Sequence, residues 1–314
     1  MPLSQLRADF EQLKKLRKTD PQAALRAVGA FGAGAVAVLA EHTELHDFEW
    51  RGMGDKSYRV AALPGSTVQF SRAINSALFI EDPRVFVQAW DRFEQAVLAS
   101  AGDGRLTGID ASEVDRIAYS AVVGYAAAVD LFNPGDRGGP GSFFEMLVGP
   151  VVSLLTGRDE SAAIEIPVPE TGETEKVTTD LSFVGADRDV VLVVPTKIST
   201  RERISQPYVH QRILDAVYAA GGPRYRSVLV VANENNTMFP PKTAKAEKTI
   251  DAGWTQETLV PGTIVLYHKY VSELAGLYYL DPPNRYVLDP PAHFPRVAPF
   301  ARILMEDLPG LLSD

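Results

Sequence analysis

The chain has 314 residues, no cysteine, 46% hydrophobic residues and a net charge of −9. That length suits one large α/β domain, or a core with a helical addition, and the apolar content excludes global disorder. The absence of cysteine excludes disulfides and thiolate metal sites and fits a reducing, cytoplasmic setting. Met1 to Lys18 is charged and amphipathic, without the apolar run and cleavage site of a signal peptide. Net acidity alone argues against a nucleic-acid partner, because phosphate contacts need Lys and Arg. Local charge is different: residues 197–226 hold six basic residues (197, 201, 203, 212, 224, 226) against Glu202 and Asp215. With nothing else in that segment, a solvated helix face would explain them.

In chain order, Leu3, Leu6, Phe10, Leu13 and Leu16 fall at helical spacing, and Thr19-Asp20-Pro21 ends that helix and starts the next. Ala27 to Ala40 is apolar and glycine-rich, too short to span a bilayer, and reads as a buried helix or helix-turn, so no membrane partner is expected. Residues 48–72 read as short strands and turns. Helices follow from Glu81-Asp82-Pro83 to Ala99 and from Asp110 to about Asp130. Asn133 to Gly141 is the clearest breaker, placing a boundary between a mainly helical region, 1–133, and a core, 134–314. The core reads as a helix (Ser142 to Leu155), strands at Val177 to Val184 and Val190 to Ile198, and a helix from Glu202 to Ala220. Strands at Ser227 to Ala232 and Ile264 to Tyr270 follow, then a short helix near Phe300 to Leu308. That order implies an α/β fold around a mixed sheet of four or five strands, flanked by helices.

Several motifs fail. Gly29, Gly32 and Gly34 have the wrong order for a dinucleotide loop and no preceding strand; helix packing explains them better. His42 and His46 bracket Glu44, but a zinc-protease helix needs the glutamate directly after the first histidine, so surface histidines are expected. No P-loop or nucleophile elbow occurs.

One constellation survives. Asp180 lies in one strand and Lys197 ends the next, whose VVLVVP body makes a terminal lysine costly unless something needs it there. Phosphodiester hydrolysis uses such a set: carboxylates to hold Mg²⁺ and a lysine to position or deprotonate the attacking water. A turn aspartate and a snorkelling lysine are the bland alternative, and by themselves the commoner one. The residues after Lys197 change the balance. They run Ile-Ser199-Thr-Arg201-Glu202-Arg203-Ile-Ser-Gln206-Pro-Tyr-Val-His210-Gln211. Arginine forks suit guanine O6 and N7, and glutamate accepts from the cytosine amino group, so Arg201, Glu202 and Arg203 at a helix start suit reading of G·C pairs; an exposed run with weak ion pairs is the bland alternative.

This run resembles the PD-(D/E)XK nucleases, within them the Type II restriction enzymes of the group that includes EcoRII and NgoMIV. The resemblance covers roughly residues 141–233. It implies a restriction-endonuclease-like core in which Glu145, Asp180, Lys197 and His210 are catalytic and Arg201, Glu202, Arg203 and Gln206 bind DNA at a CC:GG core. Glu145, alone among Phe143, Phe144, Met146, Leu147 and Val148, matches the early-helix glutamate near the metal; the wet stripe of an amphipathic helix explains it equally well. Glu145, Asp180 and His210 are the expected Mg²⁺ ligands. Pro195 stands where the general motif has an acid, and His210 where the restriction group has its helix acid. Three readings stay open: His210 is a variant ligand or water-positioning group; Asp187, Asp189 or Asp215 supplies the second acid; or the site is weakened. Lys242, Lys245 and Lys248 form a basic loop for phosphates or simply for solvent. The expected partners are double-stranded DNA, a second copy of the chain in a homodimer or tetramer, and a methyltransferase acting on the same site in the cell. A nuclease-fold protein that binds without cutting, and a repair or junction nuclease of the same fold, are the alternatives.

Overall fold

The structure is a computed structural model that describes residues 13, 15–17, 19–51, 55–168, 170–184, 189–200, 204–219, 221–239 and 249–313. Most of the first expected helix, Asp187, Arg201, Glu202, Arg203 and the Lys242, Lys245 and Lys248 loop lie outside the described residues.

Asp20 caps helix α1 (Pro21–His42), its carboxylate accepting the Ala23 N–H at 2.9 Å. Asp82 does the same for α2 (Pro83–Ala99) through Arg84 N–H at 2.7 Å. With α3 (Ala111–Phe132) and α4 (Gly139–Thr156) these helices form one apolar layer. α1 approaches α2 so closely that a Cβ on Gly29 would lie 2.0 Å from Trp90 Nε1, which accounts for the glycine. α1 is a single helix of 22 residues and, by length and composition, could cross a membrane, unlike the shorter run seen in the sequence. Here 56% of its most apolar window is buried against its neighbours.

Among the described residues the main sheet has seven strands. Its path is β12-β11-β8-β6-β5-β4, with β7 also paired to β8. β4 (Asp159–Val168), β5 (Glu173–Val184) and β6 (Val190–Val193) run antiparallel in turn. β8 (Arg224–Val231), β11 (Gly276–Tyr279) and β12 (Val297–Pro299) continue in parallel from β6. β7 (Thr196–Lys197) reaches β8 through helix α5 (Ser205–Val217). A second sheet, ordered β3-β2-β1-β10-β9, joins β1 (Glu44–Trp50), β2 (Tyr58–Ala62) and β3 (Ile74–Asn75) to β9 (Asn235–Met238) and β10 (Trp254–Glu257). One hydrophobic cluster runs from Leu13 through the helices to Leu311, and Asn133 marks a turn inside this shared structure.

Three expectations need correction. The run 264–270 is not a strand but part of helix α6 (Pro261–Tyr270). Ile264, Tyr267 and Val271, spaced i, i+3 and i+7, face the cluster around Tyr208, and a helix alone presents that spacing to one side. The strand expected over 190–198 is two strands, interrupted before Thr196 by Pro195, which has no N–H to donate. The sheet is also larger than expected, because the short strands β11 and β12 sit in the proline-rich C-terminal third. The last segment passes from a helical turn, Phe300–Arg302, through a π-helical turn, Ile303–Asp307, to a short helix, Leu308–Leu312.

Candidate active site

Asp180 sits at an irregularity. β4 and β5 pair Ser161 with Ser182 and Ala163 with Thr178, so three β5 residues, Asp180 in the middle, oppose one on β4. Such a bulge re-aims a side chain out of the regular alternation. β6 then ends, and past Pro195 the Thr196 N–H donates to Asp180 Oδ2 at 2.9 Å. The next residue, Lys197, places Nζ 2.5 Å from the same oxygen. Both side chains are about one-fifth to one-quarter exposed, so the pair is shielded but open to a ligand. Lys197 is held from behind: its carbonyl accepts the Ala232 N–H at 2.9 Å, and the Ile198 carbonyl accepts that of Asn233 at 3.1 Å.

Glu145 arrives from α4. Burial pushes its carboxyl pKa up, and the charge of Asp180 pushes in the same direction; Arg17 and Lys197 pull it down. Two carboxylates that repel each other across a half-buried space form the electrostatic setting a cation relieves. His210, half-buried on α5, also feels Asp180 and Lys197. Burial lowers its pKa, Lys197 adds to that and Asp180 opposes it. Glu145, Asp180, Lys197 and His210, far apart in sequence, therefore share one electrostatic neighbourhood.

Among the described residues, no three carboxylate, histidine or cysteine groups cluster tightly enough to hold a metal. The donor chemistry of Glu145 and Asp180 fits Mg²⁺ nonetheless. That ion prefers oxygen and is held through one or two carboxylates, water and substrate phosphate rather than a cage made wholly of protein. Of the other acids considered from sequence, Asp215 and Asp189 are among the described residues. Asp215 accepts from Gln211 at 2.7 Å and from Ser272 at 2.8 Å, and Asp189 precedes β6, its carbonyl taking the Arg224 N–H. Gln211 is a staple between α5 and β8: it accepts the Ser227 N–H and donates to the Tyr225 carbonyl, both at 2.9 Å. Gln206 lies half-buried in the first turn of α5. His42 and His46 are partly exposed, each beside a glutamate.

Two groups near the site carried no signal in the sequence. Arg17, from the turn before α1, reaches Glu145 Oε2 at 3.2 Å and Glu160 Oε1 at 2.9 Å. Glu234, three residues past the end of β8, accepts the Thr200 N–H at 2.9 Å and the Tyr279 hydroxyl at 3.0 Å, so it fixes the backbone three residues beyond Lys197. Burial pushes its pKa up to about 7.

No family model and no curated protein matches the chain. Among solved structures it is similar to the Type IIP restriction endonuclease Kpn2I, with 25% sequence identity and a TM-score of 0.77 over 98% of this chain and 99% of that one. Kpn2I is thus matched over its whole length, well beyond residues 141–233. The chain has a restriction-endonuclease-like α/β fold.

Proposed function

We propose that this protein is a Type II restriction endonuclease, a Mg²⁺-dependent enzyme that hydrolyses double-stranded DNA at a GC-rich site containing CC:GG. The observation that carries this reading is the convergence of Glu145, Asp180 and Lys197 from α4, the β5 bulge and β7. The full-length likeness to a Type IIP restriction endonuclease supports it.

Glu145 and Asp180 would hold Mg²⁺, which when bound neutralises charge building on the scissile phosphate. Lys197 shares Asp180 Oδ2 with the Thr196 N–H and so has a fixed direction; from there its ammonium orients the attacking water against phosphorus. His210, with its pKa lowered from 6.5, is a neutral imidazole at pH 7, able to accept a proton from that water. Hydrolysis leaves a 5′-phosphate and a 3′-hydroxyl. Arg201, Glu202, Arg203 and Gln206 read the base edges, each good bidentate contact worth ~1–3 kcal/mol of discrimination. A palindromic target calls for a homodimer, and a methyltransferase protects host sites.

Digestion of unmethylated phage DNA with Mg²⁺ tests this. Discrete fragments from the intact protein, lost in Lys197→Ala and Asp180→Ala, are expected. A protein that binds a GC-rich duplex tightly but leaves it intact would instead be a non-cleaving binder, a reading that Pro195 in place of the motif's acid favours.

A further inference from the structure

Arg17 is buried, with a side chain one-tenth exposed, and its guanidinium is shared between two carboxylates. One is Glu145. The other, Glu160, is 1% exposed and is the second residue of β4. Two local features create room for this arrangement. Gly157, at φ +63, ends α4 in a left-handed turn that leads directly into β4, bringing Glu160 back beneath the helix. Gly149 lies four residues after Glu145, on the same face of α4. A Cβ at Gly149 would stand 2.5 Å from Glu160 Oε2 and 3.1 Å from Arg17 Cδ, so only glycine leaves the space that the ion pair occupies.

From this geometry we infer that Arg17 is a positioning residue for Glu145, locked by Glu160 and admitted by Gly149. The inference rests on the nuclease reading of the site. The guanidinium holds Oε2 of Glu145 and leaves its Oε1 to a cation shared with Asp180. Without it, a carboxylate that is one-quarter exposed and faces a second negative charge turns away towards solvent. Arginine suits the task because its planar fork engages two carboxylates at once, which the point charge of lysine does less well. The helical turn before α1 thereby becomes part of the active site, although it touches neither DNA nor metal in this role.

Arg17→Ala, Arg17→Lys and Glu160→Gln would be compared with the intact protein in three measurements. These are Mn²⁺ binding by electron paramagnetic resonance, duplex affinity in Ca²⁺, and the single-turnover cleavage rate in Mg²⁺. Loss of a group that orients a metal ligand typically costs roughly 10- to 100-fold in metal affinity or activity. Arg17→Ala is therefore expected to weaken Mn²⁺ binding and slow cleavage by about that factor, with duplex affinity held within about twofold. Arg17→Lys should recover part of both losses, and Glu160→Gln should fall between. If Arg17→Ala does not fold, the other two variants carry the comparison. Unchanged or tighter Mn²⁺ binding in variants that remain folded, or equal losses in duplex affinity and rate, would overturn the inference while leaving the nuclease reading intact. An intact protein that neither binds Mn²⁺ nor cuts DNA would overturn both.

Discussion

Glu234 offers a quantitative test of how the Lys197 segment is anchored. Its carboxyl is 2% exposed and accepts from the Thr200 N–H and the Tyr279 hydroxyl. Burial raises its pKa from 4.5 to about 7 in the folded protein, so the native state binds a proton that the unfolded chain gives up near pH 4.5. Stability from this group is full below pH 4.5, falls as pH rises to about 7, and is then flat. Across that window the loss is on the order of 3 kcal/mol, at roughly 1.4 kcal/mol per pH unit. Glu234→Gln keeps a carbonyl oxygen for both donors and cannot ionise. Urea denaturation of both proteins at pH 5 and pH 8 should show near-equal stability at pH 5. At pH 8 the variant should be more stable by about 2–3 kcal/mol. A difference between the proteins that is the same at both pH values would refute the argument. It would mean that Glu234 titrates alike folded and unfolded, and that its role is geometric alone.

Lys197→Ala should lower cleavage by on the order of 10²- to 10⁴-fold while leaving duplex affinity in Ca²⁺ within a few-fold, measured by single-turnover digestion and gel shift. Gly29→Ala forces a Cβ into the Trp90 ring, and chemical denaturation should show a loss of about 1–3 kcal/mol with specificity unchanged. Asp281 accepts from Lys56 at 2.7 Å, Tyr58 at 2.8 Å, Asn75 at 3.0 Å and Asn235 at 3.1 Å, tying the two sheets together. Asp281→Ala leaves the Lys56 charge buried without it and should cost roughly 3–5 kcal/mol by the same assay. His210, whose pKa burial lowers from the ordinary histidine value, should contribute no titration to the cleavage rate between pH 7 and pH 8. A rise in rate between pH 7 and pH 8 that disappears in His210→Gln would contradict that assignment.

Local rules located the helices whose signals are local. Asp20-Pro21 and Asp82-Pro83 are caps that act within one turn, and both helices start there. The apolar run 190–194 read as buried strand for the same reason, since burial on both faces leaves a continuous signature. The run 264–270 misled because a short apolar stretch suits either period, and only packing on Tyr208 decided for helix. β11 and β12 were missed because each is stabilised by a neighbour distant in sequence, with little pattern of its own.

The candidate site divides along the same line. Glu145 was visible as a charge stranded in an apolar run, and Lys197 as a charge ending a buried strand, because burying an unpaired charge is costly wherever it occurs. Those residue types, in that order along the chain, were set by sequence alone. Their meeting was decided by tertiary structure: the bulge that turns Asp180, the end of β6 before Pro195 that lets the Thr196 N–H meet the Asp180 carboxylate, and the left-handed turn at Gly157 that returns Glu160 under α4. Arg17 belongs wholly to this second class. Nothing near it in sequence marks it, since its partners lie on α4 and β4 and exist as partners only once helix layer and sheet have packed.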